Sequence, residues 1–279
     1  MSLGILTNVA ATYAENNLNQ TQNSLQNVLQ QLSSGSRINS GADDAAGLSI
    51  ADGLTANEAA LTQSAQNAQN GVGLLQTADG ALSQVTNLLD RAVTLATEAS
   101  NGGLTAAQST AADTEFQSIL TEIGNIGSTT NFNSTAVFGA TATDFTVSDG
   151  TSAGTTTIAA TVGALTTANV GAGTGVDLSA QVLTSQTAAT TALGKITTAI
   201  ADISAQRGAI GANINQLNAA ANVASSEEVN LSSAQSAILS TNFGQATSDL
   251  AKFQVLSQAG ISALAQANSS QQEILKLLQ

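Results

Sequence analysis

Both ends of the chain carry apolar residues at alternating three- and four-residue intervals. This spacing is typical of a helix that buries a narrow apolar seam against a partner helix. Because both ends need a partner, the pattern predicts that they pack against each other and against neighbouring copies of the chain. The residues concerned are Leu18, Thr21, Leu25, Val28 and Leu32 near the start, and Leu250, Phe253, Leu256, Ile261, Leu264 and Ala267 near the end.

Two longer helices are predicted between the terminal ones, at about 44–100 and 179–240. Stretches rich in Gly, Ser and Asn separate them from the terminal helices. This order folds back as an antiparallel hairpin, so the predicted fold is mainly α: an elongated coiled-coil hairpin or bundle with both termini at one end. The first long seam runs through Leu75, Ala78, Leu82, Val85, Leu89, Ala92, Ala96 and Ala99, and the second through Leu193, Ile196, Ile200, Ile203, Arg207, Ile210, Ile214 and Leu217.

A shorter helix and a β- and loop-rich outer insert are predicted in the middle. Thr105 and Gln108 have the capping-box arrangement that opens a helix, which should end near Gly127. Residues 129–177 then place isolated Phe and Val residues among Thr, Ser, Asn and Gly. That pattern predicts short hairpins with turns such as Asp149-Gly150. The insert is small and is expected to hold little core.

Composition removes most catalytic chemistry from consideration. The 279 residues include no Pro, Cys, His or Trp, and only 3% are aromatic and 9% charged. Without His or Cys there is no His-based acid–base relay, thiol nucleophile or ordinary zinc site, and only a carboxylate-based hydrolase stays open. We predict no enzyme activity, no catalytic residue, no metal site and no cofactor.

The charge distribution limits the partners. The net charge is −13, and the six basic residues are scattered, so neither nucleic acid nor an anionic membrane surface is expected to bind. No basic residue precedes Arg37, and no apolar run resembles a signal-peptide core or a membrane span. Membrane insertion is not expected, and any export should proceed without a cleaved general secretory signal.

Four segments resemble bacterial flagellins. Residues 32–51, LSSGSRINSGADDAAGLSIA, resemble the N-terminal signature of that family. Residues 256–268, LSQAGISALAQAN, and the tail 274–279, ILKLLQ, resemble its C-terminus. Residues 130–133, TNFN, resemble the turn after the family's second core helix. The insert matches no family that we can name.

The resemblance implies a structural subunit that polymerises into the helical flagellar filament used for swimming. Residues 1–40 and 241–279 would line the central channel, residues 41–140 and 178–240 would form an outer helical rod with a short β-hairpin, and residues 141–177 would form a small variable surface insert. The resemblance also implies secretion in an unfolded state and assembly at the distal tip. Expected partners are other copies of the chain, an export chaperone, the filament cap and hook-associated proteins.

An assembly interface is predicted on the terminal seams and the joint beside them. The alternative is that the seams pack only within one chain. Gly260 would allow close helix approach, and Arg37 with Asp43 and Asp44 either sets register between subunits or forms a solvated joint with a helix cap. The full set is Leu18, Leu25, Val28, Leu32, Arg37, Asp43, Asp44, Leu250, Phe253, Leu256, Gly260, Ile261 and Leu264.

Arg91 and Glu115 match positions that some flagellins present to an innate immune receptor. The neighbouring residues 90–95 lack the second Arg and following Glu of strongly recognised flagellins, so a structural surface is the preferred interpretation. The Thr- and Ser-rich insert either carries O-linked sugars or is a solvated loop.

Three other functions remain as alternatives. A hook–filament junction protein of the same family would share the terminal helices but form one short ring. An adhesin or enzyme could be built into the insert, although the insert offers no catalytic cluster. A granule-coating or coiled-coil adaptor protein would explain the helices but not the paired terminal signatures.

Overall fold

The protein is mainly α-helical in the computed structural model, which describes residues 8–139, 143–148, 150, 151, 154–171 and 175–277, without the side chains of 274–277. The described helices are α1 (Val9–Ser34), α2 (Ala45–Ala99), α3 (Ala106–Thr129), α4 (Gln186–Leu239) and α5 (Phe243–Leu277). The described strands are β1 (Asn131–Phe132), β2 (Thr135–Ala136), β3 (Thr143–Val147) and β4 (Thr156–Ala160). The predicted class, with long paired helices and small strands, is confirmed.

Some predictions fall outside the described residues. They concern the start of the first helix at residues 1–7, the turn residue Asp149, the Gly-rich residues 172–174 and the side chains of the tail from Ile274 onward.

The chain divides into two compact units. Met1–Ala56 and Asn230–Gln279 form one, here called the terminal unit, and Asn57–Val229 form the other, here called the middle unit. The helices α2 and α4 each contribute residues to both units.

Local sequence explains where the helices begin and end. Asn8 caps α1 by accepting a hydrogen bond from the Ala11 N–H at 3.0 Å, and Gly35 ends α1 in the left-handed conformation with φ 71°. The predicted capping box of α3 is confirmed, since the Thr105 side chain accepts from the Gln108 N–H and the Gln108 side chain accepts from the Thr105 N–H.

The middle unit has a continuous apolar core along α2, α3 and α4. Every predicted seam residue of α2 is at most 2% exposed. Phe116 and Ile123 of α3 are fully buried in the same core. A Cβ added to Gly71 of α2 would lie 2.9 Å from Leu217 Cδ1 of α4, so the two helices come close at this point.

The predicted seam of α4 needs correction. Leu193 and Ile200 are only partly buried, whereas Ala192, Ala199 and Gln206, one position earlier each, lie inside. The predicted seam residues Ile196, Ile203, Ile210 and Leu217 are buried, while Leu193 and Ile200 pack at the edge of the core beside the smaller Ala192 and Ala199. Arg207 lies half-exposed beside the core and pairs with Asp79 of α2 through two hydrogen bonds of 2.8 and 3.3 Å.

The insert contributes more to the core than predicted. Strands β3 and β4 pair antiparallel, with Phe145 opposite Ile158, and alternation along β4 turns Ile158 and Ala160 inward. The prediction of little core is wrong because apolar residues that are isolated in sequence all face the helices. The buried residues of this region are Val137, Phe138, Ile158, Ala160, Val162, Leu165 and Val170. The hairpin prediction is confirmed for β3–β4 and for β1–β2, whose two-residue turn, Asn133 and Ser134, has positive φ at both positions.

Gln206 is the most unusual residue of this core. It is 3% exposed, and its Nε2 has no hydrogen-bond partner among the described residues. An unsatisfied buried amide costs about 1–3 kcal/mol. The core therefore contains one position at which an apolar side chain would be more stable.

We expect Gln206→Met to raise the free energy of unfolding by about 1–2 kcal/mol, because Met matches the shape of Gln and carries no amide. Chemical denaturation followed by circular dichroism measures the change. The control is Gln216→Met on the exposed face of the same helix, which should change stability by less than about 0.5 kcal/mol. Equal effects at both positions would contradict the assignment of Gln206 as a buried amide without a hydrogen-bond partner for its Nε2 among the described residues.

Candidate assembly surface

The terminal unit is built on an antiparallel pair of helices, α1 and α5. Near one end, Asn8 Nδ2 of α1 donates to the Ala267 carbonyl of α5 at 3.1 Å. Further along, Leu18 lies against Gly260, and at the other end Gly35 lies near Phe243. The terminal seams therefore pack against each other within one chain.

The seam of α1 follows the predicted spacing. Val28 is buried and the other members are half-buried, while the residues between them are mostly exposed. The α1 seam consists of Ala11, Ala14, Leu18, Thr21, Leu25, Val28 and Leu32.

The seam of α5 differs from the predicted one. Leu250, Phe253 and Leu264 lie on it, but Leu256 and Ile261 lie outside it, 44% and 55% exposed. Ser257 and Gly260 occupy the seam positions between Phe253 and Leu264, and a search for large apolar residues does not find them. The α5 seam consists of Ala246, Leu250, Phe253, Ser257, Gly260, Leu264 and Ala267.

Gly260 allows the close approach that the sequence predicted, and it does so inside the chain. A Cβ at this position would stand 3.2 Å from Leu18 Cδ1 and 3.7 Å from Leu18 Cβ. The contact is tight but meets the flexible end of a side chain. Gly260 is thus a packing position of the α1–α5 pair, and its predicted contact with other copies stays a prediction.

The α1–α5 pair leaves apolar surface uncovered. Val28 in α1 and Ala246 in α5 are their only buried apolar residues among those whose side chains are described, whereas the α2 seam from Leu75 to Leu89 is 0% exposed. Seven large apolar side chains of these two helices are at least 44% exposed, and we call them the terminal apolar surface. They are Val9, Tyr13, Leu29, Phe243, Val255, Leu256 and Ile261.

Sequence reasoning missed Val9, Tyr13 and Val255, and also Leu29 and Phe243, because none of them lies on the predicted seams. Tyr13 and Val255 are each 68% exposed. The available signal was their type: large apolar side chains among Asn, Gln, Ser and Ala, and the chain's one tyrosine. Large exposed apolar side chains are the usual mark of an interaction surface when they cluster.

The joint residues hold the chain locally and do not pair with one another. Asp44 Oδ1 accepts from the Gly47 N–H at 2.8 Å, which caps α2. Asp43 Oδ2 accepts from the backbone N–H groups of Asn39 and Ser40 at 3.0 and 2.9 Å. Within one chain these residues therefore form the solvated joint with a helix cap, which was one of the two predicted arrangements. Their contacts between copies stay a prediction.

Arg37 ties the joint to the end of α4. Its Nη2 donates to the Ile238 carbonyl at 3.0 Å, and its backbone N–H donates to the Leu239 carbonyl at 2.6 Å. On the other side, the Thr241 N–H donates to the Gly35 carbonyl at 3.0 Å. Hydrogen bonds therefore connect the segment between α1 and α2 to the end of α4 and the segment that follows it.

Stability should depend on pH through Asp43. Hydrogen bonds from the Asn39 backbone, the Ser40 hydroxyl and the Ser40 backbone hold the pKa of Asp43 below its ordinary value. A lowered folded-state pKa means that ionised Asp43 stabilises the fold above its unfolded pKa of about 3.9, and that this contribution is lost as the pH falls through the folded pKa.

We therefore expect Asp43→Asn to flatten the loss of stability as the pH falls from about 5 to about 2, because asparagine does not ionise. Denaturation midpoints across this range measure it. Glu115 and Asp177 also have lowered pKa values, but they are the same in both proteins, so the difference between the curves isolates Asp43. Parallel curves would contradict the prediction.

Arg91 of α2 and Glu115 of α3 form a bidentate ion pair. Arg91 Nε lies 2.7 Å from Glu115 Oε1, and Nη2 lies 3.0 Å from Oε2. The hydrogen bond from Arg91 lowers the pKa of Glu115. Both side chains are about half-exposed, so the pair links two helices at the surface. Its predicted recognition by an immune receptor stays a prediction, which a reporter-cell assay with purified monomer can test.

Three further observations concern metal sites, grooves and membrane spans in the described part of the chain. No three potential metal ligands come together there. A groove of about 330 Å³ beside β3, β4 and α4 has Glu227 as its only titratable lining residue among those described. None of the described helices combines the length and apolar character of a membrane span.

Comparisons with known proteins find similarity to bacterial flagellins at both ends of the chain. A family model described as the bacterial flagellin N-terminal helical region matches residues 5–143, and one described as the C-terminal helical region matches residues 193–278. A flagellin from Halalkalibacterium halodurans is 32% identical over 275 residues, which cover 97% of this chain and 98% of that protein.

Two further similarities extend the comparison. Flagellin FlaB2 of Treponema pallidum is 32% identical over 286 aligned residues, with 97% of this chain and 98% of that protein covered. The crystal structure of Bacillus cereus flagellin is 30% identical, with a TM-score of 0.48, and covers 57% of this chain and 88% of that one.

Proposed function

This chain belongs to the bacterial flagellin family, and we propose that it is secreted unfolded and polymerises at the distal tip of the flagellar filament for swimming. Family membership supports the role of filament subunit. The observation that carries the proposal is the terminal apolar surface, which a single chain leaves exposed although the middle unit buries its own core.

Polymerisation follows from how this surface can be buried. Each buried apolar Å² contributes about 25 cal/mol, so several large side chains per subunit give a substantial driving force. When a surface meets a different surface on the next copy and the rotation between copies does not close a ring, the contacts extend into a helical filament. The net charge of −13 opposes association, so polymerisation should be favoured by salt.

The segments take the roles that the family suggests. Residues 1–40 and 241–279 line the central channel, residues 41–140 and 178–240 form the outer helical layer, and residues 141–177 project outward. The filament is extracellular. An export chaperone, a cap and hook-associated proteins are the further partners of this assembly.

Seeded growth tests the proposal. Purified protein is mixed with sheared filament seeds and followed by sedimentation and electron microscopy. We expect seeds to grow into filaments of unlimited length. A protein that stays monomeric overturns the proposal, and growth that stops after one short ring identifies the hook–filament junction alternative.

The terminal helices should be only marginally stable before assembly, since most helix stability comes from tertiary packing and these two helices bury few apolar side chains. We expect amides of α1 and α5 to exchange much faster than those of α2 and α4 in free monomer, and to become protected in the filament. Hydrogen exchange with mass spectrometry measures both states. Equal protection of all four helices in the monomer would contradict this prediction.

A further inference from the structure

The dipeptide Asn-Gly occurs twice in the sequence, in two different backbone settings. Asn70-Gly71 lies within α2, and Asn101-Gly102 lies in the loop between α2 and α3. Both asparagine side chains are exposed to solvent. The two asparagines are therefore both accessible to water, and the sites differ in the glycine and the backbone that follow.

Asn-Gly is chemically labile when its backbone is free. The backbone nitrogen of glycine attacks the asparagine Cγ, a new N–Cγ bond forms and the Cγ–Nδ2 bond breaks, and the nitrogen's proton leaves with the amide as ammonia. Water then opens the five-membered succinimide to aspartate or isoaspartate. Glycine favours the reaction because it has no side chain to hinder ring closure and adopts many conformations.

The loop at Asn101 meets these conditions. The Gly102 N–H makes no hydrogen bond to any described residue. A Cβ at Gly102 would find its nearest neighbour 3.6 Å away, at the end of the Gln186 side chain. The Asn101 side chain makes only a long hydrogen bond, 3.4 Å from its Oδ1 to the Gly103 N–H. The Asn101 backbone lies in a turn, in which its N–H donates to the Glu98 carbonyl at 3.1 Å and its carbonyl accepts from the Leu104 N–H at 3.4 Å. The attacking Gly102 N–H lies outside any described helix, so no helical hydrogen bond has to break before it attacks.

The backbone at Asn70 is not free in this way, because it lies within a helix. Gly71 lies inside α2, where its N–H donates to the carbonyl four residues earlier. It is also buried, and a Cβ there would lie 2.9 Å from both Leu217 Cδ1 and Phe145 Cδ1. Ring closure at Asn70 thus requires α2 to open locally against its tertiary contacts, which has a free-energy cost.

We propose that Asn101 is a site of spontaneous deamidation through a succinimide, and that Asn70 is protected by its helix. Each event adds one negative charge to an exposed loop of a chain whose net charge is already −13. The isoaspartate product also lengthens the main chain next to the Thr105 cap of α3. The loop is therefore the place where an ageing subunit changes charge and covalent structure.

The test uses the full-length protein, incubated in buffer made with heavy-oxygen water at mildly alkaline pH. Digestion after glutamate alone, at mildly acidic pH, places the two sites on separate peptides, 59–98 and 99–115, and leaves a newly formed aspartate uncut. Mass spectrometry against a zero-time sample then measures conversion at each asparagine. We expect the peptide with Asn101 to gain the acid form, with one heavy oxygen, at least tenfold faster than the peptide with Asn70.

Two variants complete the experiment. Gly102→Ala leaves the fold intact, because the added Cβ has room, and should slow conversion at Asn101 several-fold. Asn101→Gln should remove the modified form of this peptide. Equal rates at Asn70 and Asn101, an unmodified Asn101, or an unchanged rate in Gly102→Ala would each overturn the proposal.

Discussion

The Val255→Asp variant is expected to lose filament growth while its monomer unfolds as the parent protein does. Val255 is 68% exposed in the single chain, so a polar substitution there should change monomer stability by less than about 0.5 kcal/mol. In the proposed filament the same side chain is covered by a neighbouring copy. A carboxylate buried without a partner costs several kcal/mol, which is enough to stop elongation.

Val229→Asp is the matched control. Val229 lies on α4 and is also 68% exposed, and the substitution makes the same change in net charge. Lys252 stands three residues before Val255, but an exposed pair of this kind contributes at most about 1 kcal/mol and does not offset the burial of a charge. The critical concentration for seeded growth and the thermal midpoint are measured for both variants.

The result separates two interpretations of the terminal helices. Loss of growth in Val255→Asp alone assigns assembly to the terminal apolar surface. If Val255→Asp grows as the parent does, the α1–α5 pair functions only within one chain. Equal inhibition by both variants would mean that added charge, and not this surface, controls assembly.

Heptad spacing predicted the buried faces of the helices well, because along most of each helix the buried positions carry the apolar residues. In α2 every predicted seam residue from Leu75 to Ala99 is buried, since the residues at those positions are Leu, Val and Ala and those between are mostly polar. The α1 seam was predicted for the same reason. Spacing alone therefore gave the helix faces wherever apolar side chains occupied the central positions.

The misses along the helix seams have one physical cause. At Ala192, Ala199, Ser257 and Gly260 small residues occupy the centre of the contact, because helices approach closely only where side chains are short. A search for large apolar residues then selects their neighbours, such as Leu193 and Ile261. The core of the insert was missed differently, because its apolar residues meet only after the chain has folded.

The candidate site could be predicted only in part. Spacing placed Leu18, Leu250 and Phe253 at the α1–α5 contact, but a single sequence gives no measure of how completely that contact covers them. The exposed fraction of Val255 or Tyr13 depends on which face the partner helix takes. That choice is a tertiary property, and it decides which residues remain for other copies.

The Phe116→Ala variant is expected to lower the free energy of unfolding of the middle unit by about 3–5 kcal/mol, because it removes a fully buried ring from the core and leaves a cavity. Phe243→Ala is the control: Phe243 is 55% exposed, and its loss should cost less than about 1 kcal/mol. Denaturation followed by circular dichroism gives both values, and similar losses at both positions would contradict the assigned core.

Combined with Val255→Asp, this variant distinguishes folding from assembly. Below its melting temperature Phe116→Ala should still elongate seeds, since the terminal apolar surface is unchanged, although its middle unit is strongly destabilised. Val255→Asp should show the reverse: a parent-like melting temperature without elongation. Because the two changes act on different units, their effects on unfolding should also add in the double variant. A Phe116→Ala protein that is folded but unable to elongate would show that the middle unit takes part in subunit contacts.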